Sequence, residues 1–247
     1  MKAKVIYLIT IIIFTYNYKV NSQNSNGIVT YTASLLKQNE INLDTLKASQ
    51  KVKKGISELM SNKNTLEYQL KFNKNFSSFN KVDQLELNKK ENILLKILVN
   101  SGTFYNDKKN DVTVNAYSSY GDLYLITYPK TNWLITNETK IISGYLCRKA
   151  ITKKTNSKTK KEDIIIAWFT SEIPINYGPV HFSGLPGLIL ELEFTGKYRL
   201  NVKGIRMNIK EEKIKIPESG IKMTLEQYEK MLQKAFDYKK KKYSKYK

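Results

Sequence analysis

Cysteine and histidine each occur once in the chain, as Cys147 and His181. A single cysteine excludes an intrachain disulfide, and a single histidine excludes a metal site built on two imidazoles of one chain. The motifs GxSxG, HExxH, GxGxxG and GxxxxGK[ST] are missing as well. The familiar catalytic systems are therefore excluded, and an enzyme of unfamiliar type stays open as an alternative.

Arginine is scarce in an otherwise basic chain. Arg148, Arg199 and Arg206 are its only arginines, although the formal net charge is +20. Bidentate recognition of phosphates and bases favours arginine, and most lysines are scattered along polar faces, so no nucleic-acid partner is expected. Two interpretations of the charge remain, which are a solvated lysine surface and adhesion to an anionic surface of the cell envelope.

One long apolar run occurs, near the N-terminus. Lys2 and Lys4 precede the nearly unbroken segment Val5–Phe14, and residues of modest size lead to Ser22. About ten apolar residues are too few for a membrane span, which needs about twenty. Residues 1–22 are therefore predicted to be a cleaved signal peptide. The mature protein is expected in the periplasm or at the outer membrane, or in secreted form.

Alternation of apolar and polar residues with a period of two dominates the mature chain. It is clearest in Thr65–Phe72 and Leu188–Phe194, and it is typical of antiparallel strands with one wet face. About ten strands are predicted. They include a long hairpin of Lys140–Thr152 with Glu162–Thr170, and a bulge or bend at Gly204.

Helical spacing is found in Asp44–Met60, in Lys89–Asn100 and after the capping box that opens at Thr224. The predicted fold class is α+β, with a curved, mostly antiparallel sheet (an incomplete barrel) packed on about three amphipathic helices. Residues 23–238 are expected to form one domain. Repulsion among the lysines of 239–247 predicts a disordered basic tail.

The most informative segment is Gly184–Ile189, which reads GLPGLI. Pro186 fixes φ at the second position of a turn and Gly187 accepts a positive φ at the third, which predicts a type II turn. Two interpretations are open. Either close packing of a corner requires these glycines, or the backbone approaches a ligand there.

These residues resemble the GLPGLI family, an exported family typical of Bacteroidota that has no established biochemical role. The similarity extends in order to Gly27–Tyr31, to the block ISGYLCRKA at Ile142–Ala150 and to AWFT at Ala167–Thr170. A fainter resemblance of fold links the chain to lipoprotein carriers, which shelter acyl chains between an incomplete antiparallel barrel and helices. That resemblance implies an apolar or lipid-like ligand.

Aromatic residues around the signature blocks either fill the core or line a cavity. The hypothetical ligand site comprises Tyr145, Trp168, Gly184, Leu185, Pro186, Gly187, Leu188 and Ile189. No catalytic residue, metal ligand or cofactor is predicted. The expected function is binding or carrying of an apolar or amphiphilic ligand. The alternative is an envelope interaction or accessory protein that acts through its basic surface.

Four polar side chains have competing interpretations. Cys147 is expected to be a buried structural residue, with a redox, metal or catalytic role as the alternative. His181 is expected to be a polar residue beside the corner rather than a base. Glu191 and Glu193 are interpreted as acids on the wet face of a strand, with a catalytic carboxylate pair as the alternative.

Overall fold

The structure is a computed structural model that describes residues 26–36, 65–82, 92–99, 102–119, 121–155, 162–210 and 213–244, together with isolated positions between 50 and 58. The predicted signal peptide (1–22) and most of the helix predicted over Asp44–Met60 lie outside these residues. Within the described part of the chain, no helix combines the length and the apolarity that crossing a membrane requires.

Twelve strands form a single sheet. They are β1 (Gly27–Leu35), β2 (Leu66–Phe72), β3 (Phe76–Lys81), β4 (Thr103–Asp107), β5 (Val112–Ser119), β6 (Asp122–Tyr128), β7 (Leu134–Ile142), β8 (Tyr145–Thr155), β9 (Glu162–Thr170), β10 (Leu188–Phe194), β11 (Tyr198–Met207) and β12 (Ile221–Thr224). Their order is β12-β6-β5-β4-β3-β2-β1-β11-β10-β9-β8-β7. Every neighbouring pair is antiparallel except β12 with β6, which is parallel.

The prediction of a sheet packed on about three helices is wrong. The described residues form an open sheet and two helices whose ends are defined, α1 (Ile93–Val99) and α2 (Leu225–Ser244). Helix α1 buries only Leu95 and Val99, and α2 lies beside β6 and β12 at one margin of the sheet. The helices are too short or too peripheral to cover the sheet, so its concave side is filled by other means.

The connection between β6 and β7 shows how the sheet curls. These strands lie ten inter-strand steps apart, which is roughly 48 Å in a flat sheet with its ~4.8 Å spacing. The connecting residues 129–133 reach at most roughly 22 Å when fully extended. The sheet must therefore bend until its two margins approach each other, although the margins themselves are not hydrogen-bonded into a closed ring.

The segment 171–187, which we call the corner segment, fills much of the concave side. Its large buried side chains are those of Ile173, Ile175, Tyr177, Val180, Phe182 and Leu185. It is tied to β10 because Leu188 N–H donates to Ile173 O at 3.0 Å and Ile189 N–H donates to Tyr177 O at 3.2 Å. From the opposite side, the Tyr31 hydroxyl donates to Ile189 O at 2.6 Å. A coil segment thus does the packing that helices were expected to do.

The bulge predicted at Gly204 is confirmed at the neighbouring residue. Thr30 pairs with Gly204 whereas Tyr31 pairs with Val202, so Lys203 is the extra residue of β11. Because of this shift, Leu200 faces the core, and beyond the bulge the other set of alternate residues faces it. A strand bulge has this effect in general. The pairing also joins β1 to β11 over a long separation in sequence.

The C-terminal helix is capped as predicted but extends further. Gln227 N–H donates to Thr224 Oγ1 at 3.2 Å, and Thr224 N–H donates to Gln227 Oε1 at 2.8 Å, which is a capping box. Helix α2 then continues to Ser244, through lysines that were predicted to form the disordered tail. Lysine has a good helix propensity, and cations are favourable at a helix C-terminus, so both effects offset the repulsion.

Candidate functional site

The GLPGLI corner is not a type II turn. Gly187 N–H donates to Leu185 O at 2.8 Å, which closes a three-residue turn around Pro186. Leu188 N–H donates to Ile173 O at 3.0 Å, whereas in a type II turn it would donate to Leu185 O. Gly187 has a φ of 156°, far from the value of about 80° that the third position of that turn needs.

Gly187 is required by close packing. A Cβ atom placed on it would lie 2.0 Å from Thr170 O and 2.6 Å from Thr170 C, where no adjustment of a flexible side chain could relieve the clash. Leu185, Leu188 and Ile189 are buried around it. The contacts at this glycine are therefore made with the chain's own backbone, which favours the corner interpretation there.

The fold distributes the predicted ligand-site residues over two faces of the sheet. Trp168 pairs with Lys149 on one side and with Glu191 on the other, so these residues share a face. The next residues along the strands, such as Ala167 and Leu192, share the opposite face and are buried in the core. Tyr145 is four residues from Lys149 on β8, so it lies on the same face of the sheet as Lys149 and Trp168. Ligand binding by Tyr145, Trp168 and Gly184–Ile189 stays a prediction.

The expectation of exposed acids on β10 is wrong for Glu191, which is only 8% exposed. Lys140 Nζ lies 2.9 Å from both of its carboxylate oxygens, and Arg199 Nε lies 3.7 Å from Oε1. Arg199 Nε also donates to Glu193 Oε2 at 2.9 Å. These side chains form an ionic cluster on the same face of the sheet as Trp168. Lys140 Nζ lies 4.3 Å from the centroid of the Trp168 ring.

Cys147 is fully buried. Burial raises the pKa of its thiol to about 11, so the unreactive thiol form dominates at neutral pH. In the described part of the chain, no group of three or more His, Cys, Asp or Glu side chains is placed to hold a metal ion. The position and environment of Cys147 agree with a structural residue.

Two cavities lie where the margins of the curled sheet approach each other. The first, which we call the seam cavity, has a volume of about 670 Å³ and is lined by the end of β6, by β8, by Ile165 and by the start of α2. The second, which we call the loop cavity, has about 610 Å³ and is lined by the β4–β5 hairpin and by residues of the corner segment, Gly184 among them. Both cavities are bordered by residues 128–132 and by His181.

His181 stands between the two cavities within a run of aromatic rings. Its ring centroid lies 4.5 Å from that of Tyr128 and 4.1 Å from that of Phe182. The residue as a whole is half-buried, and its Nδ1 is buried and has no hydrogen-bond partner among the described residues. Burial lowers the pKa of His181 to about 3, so the ring is neutral at physiological pH.

Sequence reasoning missed Tyr128 and residues 129–132 as parts of a site. They lie near His181 only because the sheet curls and brings its margins together. Local sequence periodicity does not predict a contact of this kind. The signal that was available is the short connection itself. Pro129 and four further residues separate two strong strand patterns, which would identify β6 and β7 as spatial neighbours at one end.

Comparison with known proteins gives a partial match. The model of a family described as "Protein of unknown function (Porph_ging)" matches residues 152–191, and this match fits the expected Bacteroidota-type family. The matched range runs from the end of β8 through β9 and the corner segment into β10. No curated protein matches the chain in sequence.

Two solved structures of PNGF-II match the chain. The structure in space group P21 has a TM-score of 0.51 and 17% identity, and the match covers 86% of this chain and 34% of that one. The structure in space group C2 has a TM-score of 0.48 and 16% identity, covering 85% and 33%. The chain thus spans about a third of the length of the solved structures that it matches, and the likeness to the first shows the fold alone.

Proposed function

We propose that the chain is an exported, non-enzymatic binding module of the cell envelope that takes an amphiphilic ligand in the seam cavity. The seam cavity itself carries this proposal. Its volume of about 670 Å³ falls within the range of small-molecule sites, roughly 300–1,000 Å³. It lies between the two margins of the sheet, where a ligand enters without separating hydrogen-bonded strands.

The lining of the seam cavity favours an amphiphile over a purely apolar ligand. Tyr128, Ile165 and Phe182 supply an apolar wall from the buried side. Charged side chains form the rim, with Lys153 and Lys154 on β8 and with Glu226 and Glu229 on α2. A ligand with an apolar body and a polar end satisfies both parts, whereas a purely apolar one would leave the rim in contact with hydrocarbon.

Membership of the GLPGLI family and export by residues 1–22 belong to the same proposal. The motif Gly184–Ile189 lies inside the range 152–191 that the family model matches, which supports the narrower family name. Export is supported by the basic start and the apolar run of the N-terminus. Together they favour a role in the periplasm or at the outer membrane.

A native mass spectrum of the full chain, expressed for export and gently purified, tests this function. We expect a reproducible added mass that is lost on organic extraction and that is identified as an amphiphile in the extract. Ile165→Trp, which fills the seam cavity, should abolish the added mass while leaving the far-ultraviolet circular dichroism unchanged. A clean unliganded mass, under conditions that preserve the ligand of a known carrier, would contradict the proposal.

Helix α2 supports a second candidate function, which is adhesion to an anionic envelope surface. Leu232 and Phe236 are 48% and 59% exposed and lie one helical turn apart on a helix that ends in a run of lysines. Exposed apolar residues beside lysines are typical of helices that lie on membrane surfaces. Binding to anionic vesicles, described below, tests this candidate.

A further inference from the structure

The loop cavity gathers three buried polar atoms that lack partners. Asn176 Oδ1, Tyr177 Oη and His181 Nδ1 are each buried without a hydrogen-bond partner among the described residues, and all three residues line this one cavity. Native proteins pair the great majority of their buried polar atoms, so each exception calls for an explanation. Three exceptions around one cavity point to a ligand that supplies the missing hydrogen bonds.

Backbone hydrogen bonds hold the chain at two of these three residues, Asn176 and Tyr177. Asn176 O accepts from Gly184 N–H at 2.9 Å and Tyr177 O accepts from Ile189 N–H at 3.2 Å, so the backbone that carries them is fixed. The Tyr177 ring also packs near Phe72, with ring centroids 6.4 Å apart. The backbone of Asn176 and Tyr177 is therefore ordered before a ligand arrives, and only side chains have to adjust to expose the polar atoms to it.

The chemistry of the three atoms indicates a neutral ligand that donates hydrogen bonds. Asn176 Oδ1 only accepts, whereas a tyrosine hydroxyl donates or accepts, and the free nitrogen of a neutral imidazole does one or the other according to its tautomer. None of the three carries a charge that would attract an ion. A hydroxyl group on the ligand can serve each of them, since it donates and accepts.

Both acids that line the cavity, Asp107 and Asp111, have partners within the chain. Lys130 forms an ion pair with Asp111. Asp107 accepts from Lys109 N–H at 2.9 Å and from Asn110 Nδ2 at 2.6 Å. The acids at the mouth are thus already engaged, which disfavours recognition of a cationic ligand. The rings of Tyr128 and His181, whose planes are tilted by 32° to each other, add aromatic surface to the wall.

We propose that the loop cavity binds a neutral polyhydroxylated ligand, with the chemistry of an uncharged sugar, through Asn176, Tyr177 and His181. Several hydroxyl groups on one small ring match several fixed hydrogen-bonding atoms, and the apolar face of such a ring matches Tyr128. The volume of about 610 Å³ accommodates a ligand of that size. This site does not rest on the function proposed for the seam cavity.

Saturation-transfer NMR with the full chain tests the proposal. The probes are glucose, galactose, mannose and N-acetylglucosamine, with glucuronate as the charged comparison, and octyl glucoside separates a lipid-linked sugar from a free one. We expect at least one neutral sugar, free or alkyl-linked, to bind more tightly than glucuronate. The absence of a signal for every neutral probe, or equal binding of glucuronate, would overturn the proposal.

Tyr177→Phe removes one hydroxyl and leaves the ring packing, so it should weaken the binding of that sugar roughly five- to tenfold, as the loss of one hydrogen bond does. Tyr238→Phe is the matched control, because Tyr238 is an exposed ring of α2 that does not line the loop cavity, and it should leave the affinity unchanged. Asn176→Leu supplies an independent variant if Tyr177→Phe fails to fold. Unchanged affinity in the folded cavity variants would overturn the assignment.

Discussion

Lys140 and Glu191 form an ion pair that spans two intervening strands, with Lys140 Nζ 2.9 Å from both carboxylate oxygens. Lys140 lies on β7, the last strand of the sheet, and Glu191 lies on β10. The lysine side chain passes over Trp168 on its way. The pair therefore connects the edge of the sheet with a strand whose residues are buried on both faces.

Lys140→Met should destabilise the protein because it leaves the buried Glu191 carboxylate with only the more distant Arg199. We expect a loss of about 1–3 kcal/mol in the free energy of unfolding, less than for a fully enclosed pair, since Arg199 compensates in part. Urea denaturation measures the change. Lys153→Met is the control, because its partner Glu162 is exposed, and it should cost less than about 1 kcal/mol.

Gly187→Ala should cost at least about 3 kcal/mol of unfolding free energy, because the new Cβ collides with the Thr170 backbone. Gly184→Ala is the matched control within the same motif. Gly184 has a φ of 89° but open space around it, so the left-handed conformation alone should cost about 1–2 kcal/mol. Equal losses in the two variants would contradict the packing role of Gly187.

Tyr31→Phe should lower the free energy of unfolding by about 1–3 kcal/mol, since it leaves the buried Ile189 carbonyl without the hydroxyl that donates to it at 2.6 Å. Thermal melting and urea denaturation both report this change. Tyr238→Phe removes a hydroxyl from an exposed ring of α2 and should leave stability within about 0.5 kcal/mol. A neutral Tyr31→Phe variant would show that the hydrogen bond adds nothing to the corner.

His181 should make the protein less stable as the pH falls from about 6.5 toward 3. The pKa is lowered to about 3 in the folded state and is near 6.5 in the unfolded chain, so the unfolded chain binds more protons in that window. The loss is roughly 2 kcal/mol at pH 5. The comparison is with His181→Phe, which keeps an aromatic ring and cannot titrate. Parallel pH profiles of the two proteins would contradict the prediction.

Deletion of residues 239–247 should keep the fold and weaken binding to anionic phosphatidylglycerol vesicles at low salt. The lysines at the end of α2 act over about a Debye length, so 0.5 M salt should reduce the difference between the full chain and the deletion. Co-sedimentation measures the bound fraction, and neutral phosphatidylcholine vesicles are the control. Equal binding with and without these residues would remove them from the second candidate function.

The strands were largely predictable because alternation records which face of a strand is buried. The pattern of Leu66, Tyr68, Leu70 and Phe72 corresponds to alternate buried positions of β2. Two strands were missed. The segment Phe76–Lys81 buries Ser77 and Ser78, and polar residues in the core hide the pattern. The segment Ile221–Thr224 is short and mostly exposed, so it carries no burial signal.

One hairpin turn was overlooked although its signal was present. Ser143 and Gly144 both have positive φ, 51° and 87°, and Ile142 pairs directly with Tyr145, which is the geometry of a two-residue type I′ turn. The predicted strand Lys140–Thr152 therefore breaks there into β7 and β8. The apolar residues that flank the turn made the segment look continuous.

The candidate site was predictable only in part. The sequence indicated the corner motif, but the prediction grouped Gly184–Ile189 with Tyr145 and Trp168 into a single site. Gly184 lines a cavity, whereas Trp168 lies on the opposite face of the sheet from the core residue Ala167. The neighbours of His181 come from β6 and from the connection after it, and their approach depends on the curl of twelve strands. Local periodicity contains no information about that curl.

The pairing of β1 with β11 has a consequence for how the chain acquires its structure. Gly27 pairs with Met207, so one side of the first strand stays unsatisfied until nearly the whole polypeptide is available. Contacts of such large sequence separation slow folding, because a long loop must close before they form. A partial chain has an unfinished strand edge and cannot reach the native state early. That delay suits a polypeptide which, if exported as we propose, has to remain unfolded until it has crossed a membrane.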